Sequence, residues 1–209
     1  LSEVNLLSVK FIHAADIHLG SRLHTTGEAV SELEEKFNQD VMNSFRRICD
    51  AALENMVDFI VIAGDLYDSA ERSIKAVNFF NKEAERLAEN NIDIYLIAGN
   101  HDPYKEKSSL FKMPDNVDIF AADEVECKEI TDQAGKLKAR IMGQSYRGSS
   151  DSRKMYSFFT PPDRGVVNIG LLHTQLDPDN SDYVPCSLEE IKNKDDIDYW
   201  ALGHIHQRR

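Results

Sequence analysis

Five short polar motifs, each at the end of an apolar run, carry five of the seven histidines in this sequence, together with Asp and Asn residues that could also bind a metal ion. The most distinctive is Gly99-Asn100-His101-Asp102, which follows the apolar run 92–98. Such a run predicts a short buried strand, so the polar groups after it are placed at the carboxyl edge of a sheet. Because open α/β sheets carry their chemistry at this edge, the motif predicts a functional site.

Together the five motifs supply seven candidate metal ligands. They are Asp16, His18, Asp65, Asn100, His173, His204 and His206. Imidazole, carboxylate and amide groups suit manganese, iron or zinc, and no thiolate is among them. Seven ligands exceed the needs of one ion, whereas two ions that share a bridging carboxylate fit the number. Two ions about 3.5–4 Å apart clamp the attacking and leaving oxygens of a phosphoryl centre.

Each motif taken alone is weak evidence. An Asp-x-His pair such as Asp16 and His18 is usually a surface turn, and Asp65 follows a Gly-Asp pattern that is common after strands. The pair His204 and His206 alone favours metal binding only about evenly. All five motifs in order, each at a predicted strand end, make the metal site the better interpretation.

Apolar patterning predicts alternating strands and helices, which is α/β construction with parallel neighbouring strands. Strands are predicted at residues 9–15, 58–63, 92–98, 117–120, 125–130, 137–143, 166–172 and 199–202. Helices are predicted at 30–56, 74–87 and 188–193. The expected apolar face of the first helix consists of Val30, Leu33, Phe37, Val41, Phe45, Ile48, Ala52 and Met56.

Composition indicates an ordinary globular chain, 42% hydrophobic and 29% charged, with one domain over residues 1–209. No apolar run has the length of a membrane span, so we expect no membrane partner. Cys49, Cys127 and Cys186 are widely spaced and odd in number, which favours a reducing cytoplasm. A formal net charge of −12 argues against a nucleic-acid partner unless bound divalent cations reverse the local field.

The two ends of the sequence suggest a longer natural protein. The chain begins at Leu1 rather than Met, and it ends at Arg209, close behind His206. A metal ligand beside a fraying terminus would be unusual. We therefore expect a C-terminal part of the natural protein beyond Arg209.

The set of motifs resembles the calcineurin-like metallophosphoesterase superfamily over nearly the whole chain. Within it, residues 11–20 and 199–206 resemble the SbcD-like DNA repair exonucleases of the YhaO type. The phosphoprotein phosphatase branch would have Glu in place of Asp102, and an Asp-Arg-Gly run where Asp68-Ser69-Ala70 stands. The resemblance implies a sandwich of two mixed β-sheets flanked by helices, whereas periodicity alone gives only the α/β class.

The resemblance also implies a role for each site residue. One ion would be held by Asp16, His18, Asp65 and His206, and the other by Asp65, Asn100, His173 and His204. Asp65 would bridge the two divalent ions, which we expect to be Mn²⁺, with Fe²⁺ or Zn²⁺ as alternatives. A metal-bound hydroxide would attack the phosphodiester, while His101 assists the leaving group and Asp102 orients the His101 ring.

The expected function is that of a metal-dependent DNA exonuclease or phosphodiesterase acting in DNA repair in the cytoplasm. Expected partners are DNA and a coiled-coil SMC-like ATPase subunit, and a homodimer is a further candidate assembly. Two alternatives stay open: a phosphatase or small-molecule phosphodiesterase of the same superfamily, and a non-catalytic scaffold module of a DNA-repair complex. The intact His101 and the full ligand set count against the scaffold.

Three other residues bear on the expected site. Archaeal and eukaryotic relatives carry a second catalytic histidine where this chain has Asp68, and we expect Asp68 to cap a turn. Arg22 and Arg147 lie in predicted loops beside the site, so they are candidate phosphate contacts.

Overall fold

The structure is a computed structural model, and it describes residues 8–21, 30–68, 73–104, 112–176 and 182–206. Its strands are β1 (Phe11–Ala14), β2 (Phe59–Ala63), β3 (Asp93–Ile97), β4 (Val117–Ile119), β5 (Glu126–Thr131), β6 (Leu137–Gly143), β7 (Val167–His173) and β8 (Tyr199–Gly203). Its helices are α1 (Val30–Asn55), α2 (Ile74–Ala88) and α3 (Leu188–Lys192), with a 3-10 helix at Met155–Phe158.

The described strands form two four-stranded sheets, with the orders β1-β2-β3-β4 and β5-β6-β7-β8. The first sheet is parallel throughout. In the second sheet β5 runs antiparallel to β6, and β6, β7 and β8 are parallel to one another. The expected two-sheet fold with flanking helices is confirmed, although among the described strands only the second sheet is mixed. Parallel strands end at a common edge, which is how motifs far apart in sequence meet.

Strand β2 shows how the layers pack, because it is buried on both faces. Ile60 and Ile62 belong to the core under α1 and α2, whereas Phe59, Val61 and Ala63 belong to the core between the sheets. This alternation follows from the two-residue period of a strand. A third apolar cluster, which includes residues of the 3-10 helix and α3, covers the outer face of the second sheet.

Helix α1 departs from its predicted apolar face. Its buried residues include Met42, Phe45, Cys49 and Ala52, whereas Leu33 is 56% exposed. Met56, which was assigned to the same face, follows the end of the helix and is also exposed. Among the described side chains, the core therefore meets α1 from Val41 onward, so the apolar period before Val41 does not mark a buried face. Within the described ranges, no helix is long and apolar enough to cross a membrane.

Gly170 on β7 is required by close packing, and this generates a stability prediction. Its partner in register is Trp200, and a Cβ at Gly170 would lie 2.7 Å from Trp200 Cε3. The indole has little freedom to move because it packs on Phe159, with ring centroids 5.0 Å apart. We expect Gly170→Ala to lower the free energy of unfolding by about 1–3 kcal/mol through overpacking.

Urea denaturation of both the wild type and Gly170→Ala measures this effect. Gly148→Ala is the matched control, because the nearest atom to its added Cβ would be 3.8 Å away. We expect that control to stay within about 0.5 kcal/mol of the wild type. Equal stability of the two variants would show that Trp200 yields without cost.

Candidate metal centre

The loops after β1 and β2 run side by side and present the first ligand candidates. The backbone N–H groups of Asp16, His18 and Leu19 donate to the carbonyls of Gly64, Asp65 and Leu66, at 3.1, 3.0 and 2.8 Å. These bonds continue the pairing of β1 and β2 beyond the strands. The side chains of Asp16, His18 and Asp65 are thereby fixed at one edge of the first sheet.

Four of the ligand candidates adopt left-handed backbone conformations, which non-glycine residues rarely do. The φ angles are 53° at Asp16, 53° at His18, 51° at Asp65 and 93° at His204. Such conformations cost about 1–3 kcal/mol each and persist where the surrounding structure enforces them. Their concentration at one sheet edge is typical of a functional site.

Asp65 lies at the centre of the site, with its side chain only 2% exposed. Its Oδ1 accepts from the backbone N–H of His101 at 3.0 Å, and its Oδ2 lies 3.2 Å from His173 Nε2. The same Oδ2 is 4.0 Å from His18 Nε2. One carboxylate therefore faces both groups of histidines, which is the position expected of a bridging ligand.

The hydrogen bonds of His173 test whether the site fits a cation. Its Nδ1 is 2.9 Å from the carbonyl oxygen of Ala63, which can only accept, so Nδ1 carries a proton. The opposite nitrogen, Nε2, faces Asp65 and, at 3.0 Å, Asn100 Oδ1. Asn100 Oδ1 also lies 3.1 Å from His204 Nδ1. The potential metal-binding atoms of Asp65, Asn100, His173 and His204 therefore converge on one position, as the ligands of a divalent cation do. These residues fit the expected metal.

A second group of ligand atoms is formed by Asp16, His18 and His206. One potential ligand atom from each lies within 4.8 Å of the other two, as is also true of Asp65, His173 and His204. His206 Nε2 is 3.5 Å from Asp16 Oδ1, and its side chain is 64% exposed. The structure thus brings all seven candidates together at one sheet edge, where the same proximity also joins His18 to Asp68 and His101. Their division between two ions stays a prediction.

Electrostatics hold most of these groups in the protonation state that ligands require. Burial opposes ionisation of Asp65, but its hydrogen bond and charge interaction with His173 lower its pKa below the usual value. Burial also lowers the pKa values of His18 and His204, which favours neutral imidazoles. At His173, burial is outweighed by Asp65, which raises the pKa. In the absence of an ion, a proton on His173 would take the cation's place beside Asp65.

Gly99 is needed for space rather than for an unusual turn. A Cβ at this position would lie 2.1 Å from Asp65 Oδ1 and 2.7 Å from the Asp65 nitrogen. The chain after β3 can therefore approach the buried carboxylate only without a side chain. This close approach lets the next two residues, Asn100 and His101, contact His173 and Asp65.

The surroundings of His101 correct the expected role of Asp102. The Asp102 carboxylate accepts from the backbone N–H groups of Tyr67 and Gly99, at 3.1 Å each, so it ties two site loops together. His101 Nδ1 instead lies 3.3 Å from the carbonyl and 3.4 Å from Oδ1 of Asp68. Asp68 Oδ1 is also 3.2 Å from His18 Nδ1. Asp68 thus contacts two site histidines and does more than cap a turn.

The remaining expectations and the residues that were missed concern the rim of the site. Arg147 pairs with the exposed Asp123 at 3.0 Å, and its role as a phosphate contact stays a prediction. Arg22 lies outside the described residues. No sequence motif marks Tyr183, although its ring stacks on His204 in the structure. The sequence does contain one indication of Asp68: it is a second carboxylate, three residues after Asp65 and in the same loop.

This fold and this site define the class of protein. A sequence model of the calcineurin-like phosphoesterases matches residues 9–208, so the chain belongs to that family of metal-dependent phosphoesterases. The chain is 35% identical over 206 residues to an uncharacterized metallophosphoesterase, YhaO, of Bacillus subtilis (strain 168), covering 98% of this chain and 50% of that protein.

Two further relatives are named for DNA double-strand break repair. The DNA double-strand break repair protein Mre11 of Methanocaldococcus jannaschii is 29% identical over 206 residues, covering 95% of this chain and 51% of its own. Its counterpart from Methanococcus maripaludis is 30% identical over 219 residues, covering 96% of this chain and 52% of its own. The chain therefore spans about half the length of these relatives.

The geometry predicts that mutations of a metal ligand and of the residue that assists the leaving group have different effects on metal binding. Asp65→Ala removes the carboxylate that faces both ligand groups, so we expect the protein to lose or strongly weaken both metal ions. His101→Ala should keep both ions, because the contact of His101 with Asp65 comes from its backbone. Turnover should fall about 10²–10⁴-fold in that variant, as the loss of an acid–base group does.

Metal analysis of dialysed protein beside steady-state kinetics checks both expectations. The wild type loaded with manganese is the reference for metal content and for rate. Loss of metal from His101→Ala to the extent seen in Asp65→Ala would assign His101 to the ligands instead.

Proposed function

We propose that this chain is the catalytic part of a binuclear-metal-dependent DNA exonuclease that acts in DNA repair. The observation that carries the proposal is an exposed His101 beside two converged ligand groups whose innermost residues are buried. Its side chain is 43% exposed, whereas those of Asp65 and His173 are almost fully buried. A phosphodiester can reach a reactive group that lies on the open side of a metal centre.

The residues of the site indicate how a phosphodiester would be hydrolysed. Two divalent cations in the ligand groups would neutralise charge on the phosphoryl oxygens and lower the pKa of a nucleophilic water. His101 Nδ1 donates to the Asp68 carbonyl, which cannot donate in return. Proton transfer to the departing oxygen therefore falls to Nε2 of His101. Asp68, rather than Asp102, is the carboxylate that orients this ring.

Support for DNA as the substrate comes from the relatives. Two proteins named for DNA double-strand break repair match this chain over 95% or more of its length. We extend the proposal to a coiled-coil SMC-like ATPase partner, to manganese as the working ion and to the cytoplasm as the location. A nuclease assay with manganese on single- and double-stranded DNA, using the full-length natural protein, is the direct test. Absence of hydrolysis by a protein that holds both ions would favour the non-catalytic scaffold.

A phosphatase on the same scaffold is the second candidate, because an imidazole held by Asp68 serves the leaving group of a monoester equally well. Asp102 in place of Glu, and the lack of an Asp-Arg-Gly run at Asp68, favour the diester. We therefore expect manganese-loaded protein to hydrolyse bis(p-nitrophenyl) phosphate faster than p-nitrophenyl phosphate. His101→Ala is the control for contaminating activity. A faster reaction with the monoester would move the assignment to a phosphatase.

The charge of the chain generates a prediction about DNA affinity. DNA binding rests largely on Lys and Arg side chains that neutralise phosphates and release counterions. The chain carries −12, of which two divalent ions would offset only about +4. We expect these 209 residues alone to bind duplex DNA weakly at physiological salt. A C-terminal part of the natural protein, or a partner subunit, should tighten binding.

Fluorescence anisotropy with a labelled duplex at two salt concentrations measures this affinity. Metal content is determined on the same samples, so that a lost ion is not mistaken for a lost DNA contact. Submicromolar binding by the 209 residues at physiological salt, with both ions present, would contradict the charge argument.

A further inference from the structure

A short segment, residues 182–186, lies beside the metal centre, where Tyr183 meets His204; we call it the strap. The backbone of Asp151 pairs with it on one side, bonding to the carbonyl of Asp182 and the N–H of Val184. On its other side, the N–H of Gln175 donates to the Tyr183 carbonyl at 2.9 Å. The hydroxyl of Thr174 donates to the Val184 carbonyl. The strap is therefore anchored both to the loop at Asp151 and to the chain that follows β7.

The backbone of the strap is strained at its centre. Val184 has a φ of 45° and is fully buried. A positive φ at a β-branched residue is a true outlier, and such conformations persist only where surrounding contacts enforce them. The anchors at Asp151 and Thr174 provide those contacts. Val184 directly follows Tyr183, so the same contacts hold the backbone beside that tyrosine.

Tyr183 leads from the strap onto a metal-ligand candidate. Its ring stacks on the His204 imidazole, with centroids 5.1 Å apart and planes inclined by 29°. The ring of His173 meets the same imidazole nearly edge-on, also at 5.1 Å. His204 is thus held between two aromatic neighbours, of which only Tyr183 comes from outside the expected ligand set.

The two imidazoles of this ligand group are held in different ways. His173 is oriented by a hydrogen bond from Nδ1 to the Ala63 carbonyl, on the side away from the other ligands. Among the described residues, the His204 ring has its hydrogen-bond contact through Nδ1 with Asn100, which points into the ligand group. Ring packing therefore has to supply for His204 the orientation that a backbone carbonyl supplies for His173.

We propose that Tyr183 is a positioning residue for His204. Stacking on the strap's tyrosine holds the imidazole so that Nδ1 faces Asn100 and Asp65. The proposal concerns the ring of Tyr183, because its contact with His204 is a stacking of the two rings. This inference rests on the proposed metal centre. Tyr183 would affect ion binding at only one of the two positions, the one formed by Asp65, Asn100, His173 and His204.

The test is a calorimetric titration of metal-free protein with MnCl₂. We expect the wild type to bind two ions, and Tyr183→Ala to bind one of them about 10- to 100-fold more weakly, as losing a group that orients a ligand does. Tyr183→Phe should restore wild-type binding because it keeps the ring. Tyr199→Ala is the matched control: Tyr199 is a similarly exposed tyrosine that packs on Phe11, at the opposite end of β8.

Each outcome separates the inference from the proposed function. If the wild type binds no divalent ion, the metal centre itself fails, and the inference fails with it. If the wild type binds two ions and Tyr183→Ala binds both equally well, only the inference is overturned. Weakening by Tyr183→Phe to the same extent as by Tyr183→Ala would overturn it too. Where thermal unfolding of the metal-free protein shows that Tyr183→Ala is misfolded, Tyr183→Leu, which keeps apolar bulk without the ring, is titrated instead.

Discussion

The buried carboxylate of Asp65 is the constraint on which the rest of the site depends. A charge withdrawn from water is tolerable only when donors or cations surround it. Here they come from both layers of the sandwich: the N–H of His101 follows β3 of the first sheet, and His173 ends β7 of the second. The two sheets must therefore face each other with their carboxyl edges aligned. The interdigitated apolar core between them, which includes Val61, Ile141 and Leu171, provides that alignment.

Much of this arrangement could be predicted because it follows from local patterns and one topological rule. Apolar runs that end in Asp16, Asp65 and Asn100 define strands, and parallel pairing delivers their ends to one edge whatever the intervening helices do. The bounds of β1, β2 and β3 agree with the predicted strands to within one or two residues at each end. The ligand candidates could therefore be named from the sequence, although their assignment to individual ions came from the resemblance.

The parts that escaped prediction depend on tertiary contacts that leave no periodic signal. Asp68 and Asp102 are both acidic loop residues near site motifs, and only the folded chain shows which of them turns toward His101. Helix α1 has apolar residues along its whole length, yet among the described side chains the core meets it only from Val41 onward, so Leu33 stays exposed. Tyr183 reaches His204 through a strap whose conformation is set by Asp151 and Thr174. No window of sequence around position 183 contains those partners.

The exposure of the side chains increases from one end of the site to the other, so the metal centre has a buried end and an open end. Asp65 and His173 lie at the buried end, where a backbone carbonyl and the Asp65 charge fix the imidazole in the absence of any ion. His101 and His206 lie at the open end, with side chains 43% and 64% exposed. A substrate has to approach from that end, since the opposite side is closed by the sandwich core. The ligands at the buried end are thus preorganised by the protein, whereas His206, beside Asp16 on the open side, is the most exposed of the ligand candidates.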